Sequence, residues 1–316
     1  MQKVDIPPRQ NDCGFTLIEL SIVLVIIGLI TGGILVGRDL IAAASVRAQV
    51  TQIEKYSSAV NTFRNKYGYI PGDMPDPAAT QFGFSAIAPR GTLTGQGDGN
   101  GILQSGTGSP NRDAFGGEGG TFWVDLSTAK LIDGNFTTAS ETFSPAGGTV
   151  SVTTTQVGSY LPPARLGQSN YVYVWSGGWQ SRNVITGDGR NYFGVSGIYE
   201  CCNGGNGEGT ANMAITPIQA FNIDQKVDDG LPQYGRVITI DPTHGWWAPG
   251  SDAPGCPGVV GDRDAVTFGP ATTIATAPSA CTCYDNGGVA GTEHYSTSSS
   301  SNNGVNLTCA LSFAFQ

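Results

Sequence analysis

From Phe15 to Val36 the chain is apolar at almost every position, and Glu19 is the one charge in the run. Its 22 residues are enough to cross a bilayer core, for which about 20 apolar residues in a helix suffice. Beyond it the pattern changes. Val46, Val50, Ile53, Tyr56, Val60, Phe63 and Tyr67 recur at steps of four and three, with Arg47, Gln52, Glu54 and Arg64 between them. That spacing predicts an amphipathic helix whose apolar stripe packs on a globular head. No proline lies between Phe15 and Tyr67, so the two patterns read as one continuous helix of about 53 residues, about 80 Å long. Gly68 and the prolines Pro71, Pro75 and Pro77 end it.

Gly28, Gly32, Gly33 and Gly37 weaken the apolar half, each by up to about 1 kcal/mol relative to alanine. Gly28 with Gly32, and Gly33 with Gly37, also form small-xxx-small pairs that let neighbouring helices approach closely in lipid. Past the helix, residues 82–120 are glycine-rich and lack a regular pattern. A short helix is predicted over Thr121 to Ile132 through Phe122, Trp123, Leu126 and Leu131. Strands are predicted at Thr149 to Val157, Tyr171 to Trp175, Tyr192 to Ile198 and Val237 to Ile240, forming an antiparallel sheet. Thr216 and Pro217 open a further helix as cap and first-turn residue, with Ile218, Phe221 and Val227 inward and Asp229-Gly230 closing it. The predicted fold is α+β: a long helical spine, transmembrane in its first half and amphipathic in its second, packed on an antiparallel head with long loops and disulfides. The predicted division is a leader at 1–14, a transmembrane or filament-core helix at 15–37, an amphipathic helix at 38–68 and a head at 69–316 whose part 200–316 carries the cysteines.

A carboxylate inside an apolar span costs roughly 2.5 kcal/mol or more, so Glu19 needs a partner. The segment Gly14-Phe15-Thr16-Leu17-Ile18-Glu19-Leu20 resembles the type IV pilin and type II secretion pseudopilin superfamily. The resemblance implies cleavage after Gly14 by a prepilin peptidase and methylation of the new Phe15 amine. It also implies a role for Glu19 in meeting a neighbouring subunit's terminal amine during assembly. Tyr56 to Pro75 resembles a recurring version of the pilin-like spine end, with Pro71-Gly72-Asp73-Met74-Pro75 in sequence. The resemblance further implies that the glycine-weakened segment unwinds locally in a filament, although this chain lacks the proline many major pilins carry there. The leader departs from the family's usual positive charge, since Lys3 and Arg9 are balanced by Asp5 and Asp12.

Composition sharpens this picture. Among 316 residues, 46 glycines and 18 prolines with 13% charged residues describe a loop-rich and strand-rich head rather than a bundle. The net charge of −9 disfavours nucleic acid and anionic lipid surfaces as partners. Cys13 lies in the leader; Cys201, Cys202, Cys256, Cys281, Cys283 and Cys309 lie in the last third. An even set in an exported chain reads as three disulfides of open pairing, with Cys201 and Cys202 reaching different partners. Zinc is the competing reading.

Two acidic stretches invite a metal reading. Gly97-Asp98-Gly99-Asn100-Gly101 has part of a calcium-loop pattern but no distal glutamate, and a plain glycine turn competes with it. Asp224, Asp228 and Asp229 fall within six residues; some secretion pseudopilins bind calcium in a head loop, and a solvated acidic turn is the alternative. The two histidines, His244 and His294, stand among turn residues, and no catalytic motif accompanies them, so a non-enzyme is expected. Ser296 to Asn303 reads as a low-complexity surface loop, and the tail beyond Trp246 as a segment held by disulfides.

The function expected is a structural subunit of a type IV pilus or pilus-like filament, with a type II secretion pseudopilin as alternative. A membrane-tethered glycan-binding module, stacking sugars on Trp175, Trp179, Trp246 and Trp247, is the reading from another class. Expected partners are copies of the chain, other pilin-like subunits, prepilin peptidase, the inner-membrane assembly platform and the membrane before assembly. The expected location is the inner membrane with a periplasmic head, then a surface or periplasmic filament.

Overall fold

The computed structural model describes residues 16–84, 97–103, 117–136, 153, 155–176, 189–201, 209–212, 214–239, 282–286, 289 and 292–316. The chain divides into two compact units, Met1–Ala44 and Ser45–Gln316. Helix α1, Leu17–Tyr67, is a single helix of 51 residues, and it continues through all four glycines. Gly68, at a φ of 83°, stops it, and its amide closes on the Arg64 carbonyl at 2.8 Å.

In the second unit, Val46, Ile53, Tyr56, Ala59, Val60 and Phe63 are buried along one face, as the stripe predicts. Gln49 and Gln52 are buried with them, which corrects the reading of Gln52 as a polar-face residue. Gln52 Oε1 accepts from the Arg165 amide at 3.0 Å, and its Nε2 donates to the Pro163 carbonyl at 2.9 Å. Gln49 Oε1 accepts from the Leu166 amide at 3.2 Å. Two glutamines thus act as pegs that hold the 163–166 segment on the helix, Gln52 through both ends of its amide and Gln49 through its oxygen alone, its Nε2 having no hydrogen-bond partner among the described residues.

The remaining helices are short: α2 at Ala78–Gln81, α3 at Gly117–Thr128, α4 at Val157–Tyr160 and α5 at Pro217–Val227. The main sheet contains β1 (Asn170–Ser176), β2 (Asn191–Cys201), β3 (Gly209–Asn212), β4 (Val237–Thr239) and β7 (Leu311–Ala314). Its order is β1-β2-β7-β4, with β3 also paired to β2, and every pairing is antiparallel. A separate hairpin pairs β5 (Tyr284–Asp285) with β6 (His294–Tyr295). The fold is α+β, a long N-terminal apolar helix with an antiparallel sheet.

The predicted strands at Tyr171, Tyr192 and Val237 are present. Of the one predicted over Thr149 to Val157, residues 149–152 and 154 lie outside the described residues; among the rest, residues 155–156 turn and Val157 begins α4. The tail forms a sheet strand, β7, inserted between β2 and β4, although its sequence carries no long alternation. In the expected surface loop at 296–303, Ser296 and Ser301 are buried, and a 3-10 helix runs over Ser299–Gly304. In α5 the buried positions are Pro217, Ala220, Ile223 and Asp224; Ile218 is 38% exposed, so the inward face is rotated from the one expected.

The core gathers aromatic rings from distant segments. Tyr56 meets Trp123 edge-on at 5.1 Å, Phe122 and Trp123 both lie near Phe193, and Trp175 stacks on Tyr192 at 4.6 Å. Each such ring buries roughly 150–250 Å² and dominates the packing energy. Tyr173 faces Gly194 across the β1–β2 ladder, where a Cβ at Gly194 would overlap the tyrosine ring. Glycine is therefore required at that position for the ring to cross its neighbour strand.

Candidate functional site

The functional features fall into an N-terminal segment and several carboxylate clusters on the head. At the N-terminus, Glu19 sits in the first turn of α1. Its Oε2 accepts from the Thr16 amide at 2.8 Å and from Thr16 Oγ1 at 2.7 Å, while the Glu19 amide donates to Thr16 Oγ1 at 3.3 Å. This reciprocal pair is a capping box, and the Thr-x-x-Glu spacing was its legible signal. Among the described residues Oε1 of Glu19 carries no hydrogen bond. Gly14 and Phe15 lie outside the described residues.

From Leu20 to Gly37 no charged side chain interrupts the helix, and apolar residues lie around its whole circumference; Arg38 and Asp39 follow. Leu17, Ile18, Ile30, Leu35 and Ile41 are among the side chains more than half exposed. Gly28, Gly32, Gly33 and Gly37 have open space where a Cβ would stand, so α1 offers flat patches with nothing of its own chain against them. By length and composition this helix can cross a membrane.

On the head, the Pro71-to-Pro75 motif joins three elements. Gly72, at a φ of 82°, lies where a Cβ would collide with the Glu118 carbonyl of α3, and its amide donates to Asp125 Oδ2 at 2.8 Å. Met74 is fully buried. Asp73 accepts from three backbone amides: Asp98 at 3.1 Å and Gly99 at 2.8 Å to Oδ1, and Gly101 at 2.7 Å to Oδ2. The Gly97-to-Gly101 stretch is thus a nest that binds an anion, and the anion is the protein's own carboxylate. Asp73, Asp98 and Glu118 each place a carboxylate oxygen within 4.8 Å of the others. Sequence reasoning singled out Asp98 but missed Asp73 and Glu118, which lie 25 and 20 positions away in the chain.

The second cluster joins the expected residues Asp224, Asp228 and Asp229, whose oxygens also come within 4.8 Å of one another. Asp224 is buried, accepting from Tyr295 Oη at 2.8 Å and from the Gly230 amide at 3.3 Å. Its carboxyl is raised to about 7, chiefly by burial, with the two donors opposing the rise and the charges of Asp229 and Asp228 adding to it. Burial likewise pushes the Tyr295 hydroxyl up, with the Asp224 charge adding to the shift. Asp228 accepts from the Arg236 and Val237 amides, and Asp229 from the Leu231 amide at 2.8 Å.

His294 lies beside Asp285, Nε2 to Oδ1 at 3.2 Å, and Ser296 donates to the other oxygen of the same carboxylate at 2.7 Å. Serine and imidazole therefore flank the aspartate rather than forming the nucleophile–base pair that hydrolysis requires. His244 lies outside the described residues. Cys283 and Cys309 form a disulfide with Cα atoms 4.9 Å apart, so zinc is corrected at these two positions. It ties the β5–β6 hairpin to the chain leading into β7. Cys201 ends β2, and Cys202, Cys256 and Cys281 lie outside the described residues. Trp175 is 1% exposed and donates to Ser312 Oγ at 3.0 Å, which removes it from any sugar-stacking surface. Trp179, Trp246 and Trp247 lie outside the described residues.

The model of the prokaryotic N-terminal methylation motif matches residues 9–35. The chain carries a type IV pilin-like prepilin motif. Thr16, Glu19 and three of the four helix glycines fall inside the match, whereas the head falls outside it. No curated protein and no solved structure matches the chain. The prepilin motif supports a pilin-like or pseudopilin-like protein and points to a structural subunit rather than an enzyme. It implies processing by a prepilin peptidase and assembly with other pilin subunits, and the apolar helix is consistent with membrane anchoring before assembly.

Proposed function

We propose that the chain is a structural subunit of a type IV pilus or pilus-like filament. The observation that carries this reading is the prepilin motif at the head of a helix apolar on every side. Such a helix needs a surrounding that its own chain does not supply: lipid before assembly, packed helices of other subunits after it. In the proposed sequence the peptidase cuts after Gly14, Phe15 is methylated, and the subunit leaves the inner membrane through an assembly platform with its head on the periplasmic side. Glu19 then accepts a neighbour's terminal ammonium. Its Oε2 stays on Thr16 while Oε1 takes the new donor, so assembly need not break the capping box. An unpaired charge in that dry core would be costly, which makes the pairing selective for correct register.

Glu19→Ala is expected to leave membrane insertion intact and to reduce the chain's share of sheared filaments, scored by electron microscopy and mass spectrometry. Normal incorporation of that variant would sink the model. Recovery of the wild-type chain only from filaments of a secretion system would assign it as a pseudopilin instead. For the head, calcium at Asp224, Asp228 and Asp229 is a proposal supported by the closeness of the three carboxylates. Its test is the melting temperature of the full chain in detergent. A rise at millimolar calcium supports the site, and no shift rejects it.

A further inference from the structure

A groove of about 380 Å³ opens on the head between α1 and the turn that follows α3. Tyr56 and Leu131 give it apolar walls, while Lys55, Lys130 and Asp133 stand exposed around it. Among the described residues neither ammonium forms an ion pair, and Asp133 forms none either. Lys55, Lys130 and Asp133 together leave the groove with one net positive charge, on a chain whose net charge is −9. Copies of such a chain repel one another at long range, so they come together most readily where a basic surface of one meets an acidic surface of the next.

The same head carries a complementary feature. The turn after α5 presents exposed Asp229 and half-exposed Asp228, backed by Asp224, and two residues beyond stands Leu231, 40% exposed. Acid and apolar groups thus follow each other in the turn as cation and apolar wall do in the groove. Asp228 is engaged by the Arg236 and Val237 amides, whereas Asp229 accepts the Leu231 amide on Oδ1 and keeps its other oxygen for a new donor. We propose that the Asp228–Leu231 turn of one copy docks in the Lys55–Lys130 groove of a neighbouring copy. Asp229 lies between the two ammonium groups, and Leu231 lies against Leu131 and Tyr56. This docking rests on the filament reading and adds to it a contact between heads.

The test is zero-length carbodiimide coupling of sheared filaments made of the full chain. The reagent activates a carboxylate, a lysine amine displaces it as a urea, and an amide remains only where the two groups already touch. The expected result is covalent dimers and larger ladders on denaturing gels, with Lys55 or Lys130 joined to Asp228 or Asp229 by mass spectrometry. Lys55→Glu with Lys130→Glu is expected to reduce the ladder at least tenfold, as is Asp229→Lys alone. Combining all three substitutions is expected to restore the ladder, because carboxylate and amine then meet with their sides exchanged. These side chains are exposed, so the head keeps its fold in every variant, checked by its melting temperature. Ladders joined through other residues, coupling confined to single chains, or coupling to a different protein would overturn the proposal while leaving the filament reading in place. Absence of any filament containing the wild-type chain would overturn both.

Discussion

One helix, α1, passes through two chemical regimes. From Leu17 to Ala44 its residues are exposed apart from a half-exposed Gly37, and between Glu19 and Arg38 no charge interrupts the apolar surface. From Val46 to Phe63 the same backbone carries a stripe whose members are buried in the head, with two glutamines pegged to another segment. Backbone geometry does not distinguish the halves; the location of their burial partner does. The second half finds that partner in its own chain. The first half finds none among the described residues, so its solvent must come from lipid or from other molecules.

Substitutions sharpen this contrast. Phe63→Ala empties a fully buried site and is expected to destabilise the head by about 3–5 kcal/mol, seen as a lower melting temperature of the full chain in detergent. Leu24→Ala removes a similar amount of apolar surface from the first half and is expected to leave that melting unchanged. Equal losses in the two would break the comparison. Gln52→Ala leaves the Arg165 amide and the Pro163 carbonyl without partners and is expected to cost about 1–3 kcal/mol by the same measurement. No loss would show that water replaces the peg.

The smallest effect is a pH slope confined to the head. Asp224 keeps its proton up to about 7 in the folded chain but releases it near 3.8 when unfolded. Between those values the folded state binds more protons, so stability is greatest on the acid side of the window and falls as pH rises toward 7. The loss from this group is about 1 kcal/mol between pH 6 and pH 7. Asp224→Asn is expected to flatten that part of the profile, read from melting temperatures across the window. An unchanged slope would assign it to other groups, and a slope carried by the first half of α1 would undo the separation of the two regimes.

Much of this protein was determined by sequence alone, and the reason is locality. The prepilin motif, the length of the apolar run, the helix stop at Gly68 and the capping box of Thr216 and Gln219 depend on residues within a few positions of one another. Their chemistry is legible wherever the rest of the chain goes. The tertiary structure decided what joins distant positions. Gln52 looked like a polar-face residue because its partners lie 111 and 113 residues away. Gly97 to Gly101 read only as a plain glycine turn or a partial cation loop because Asp73, the carboxylate filling it, comes from the end of the spine. Leu311 to Ala314 was not legible as a strand because β7 is four residues long and its partners β2 and β4 come from distant segments; Ser312 is buried along with Leu311 and Phe313, so its polarity does not mark a wet face. Periodicity records that a residue will be covered, but only the folded chain decides what covers it.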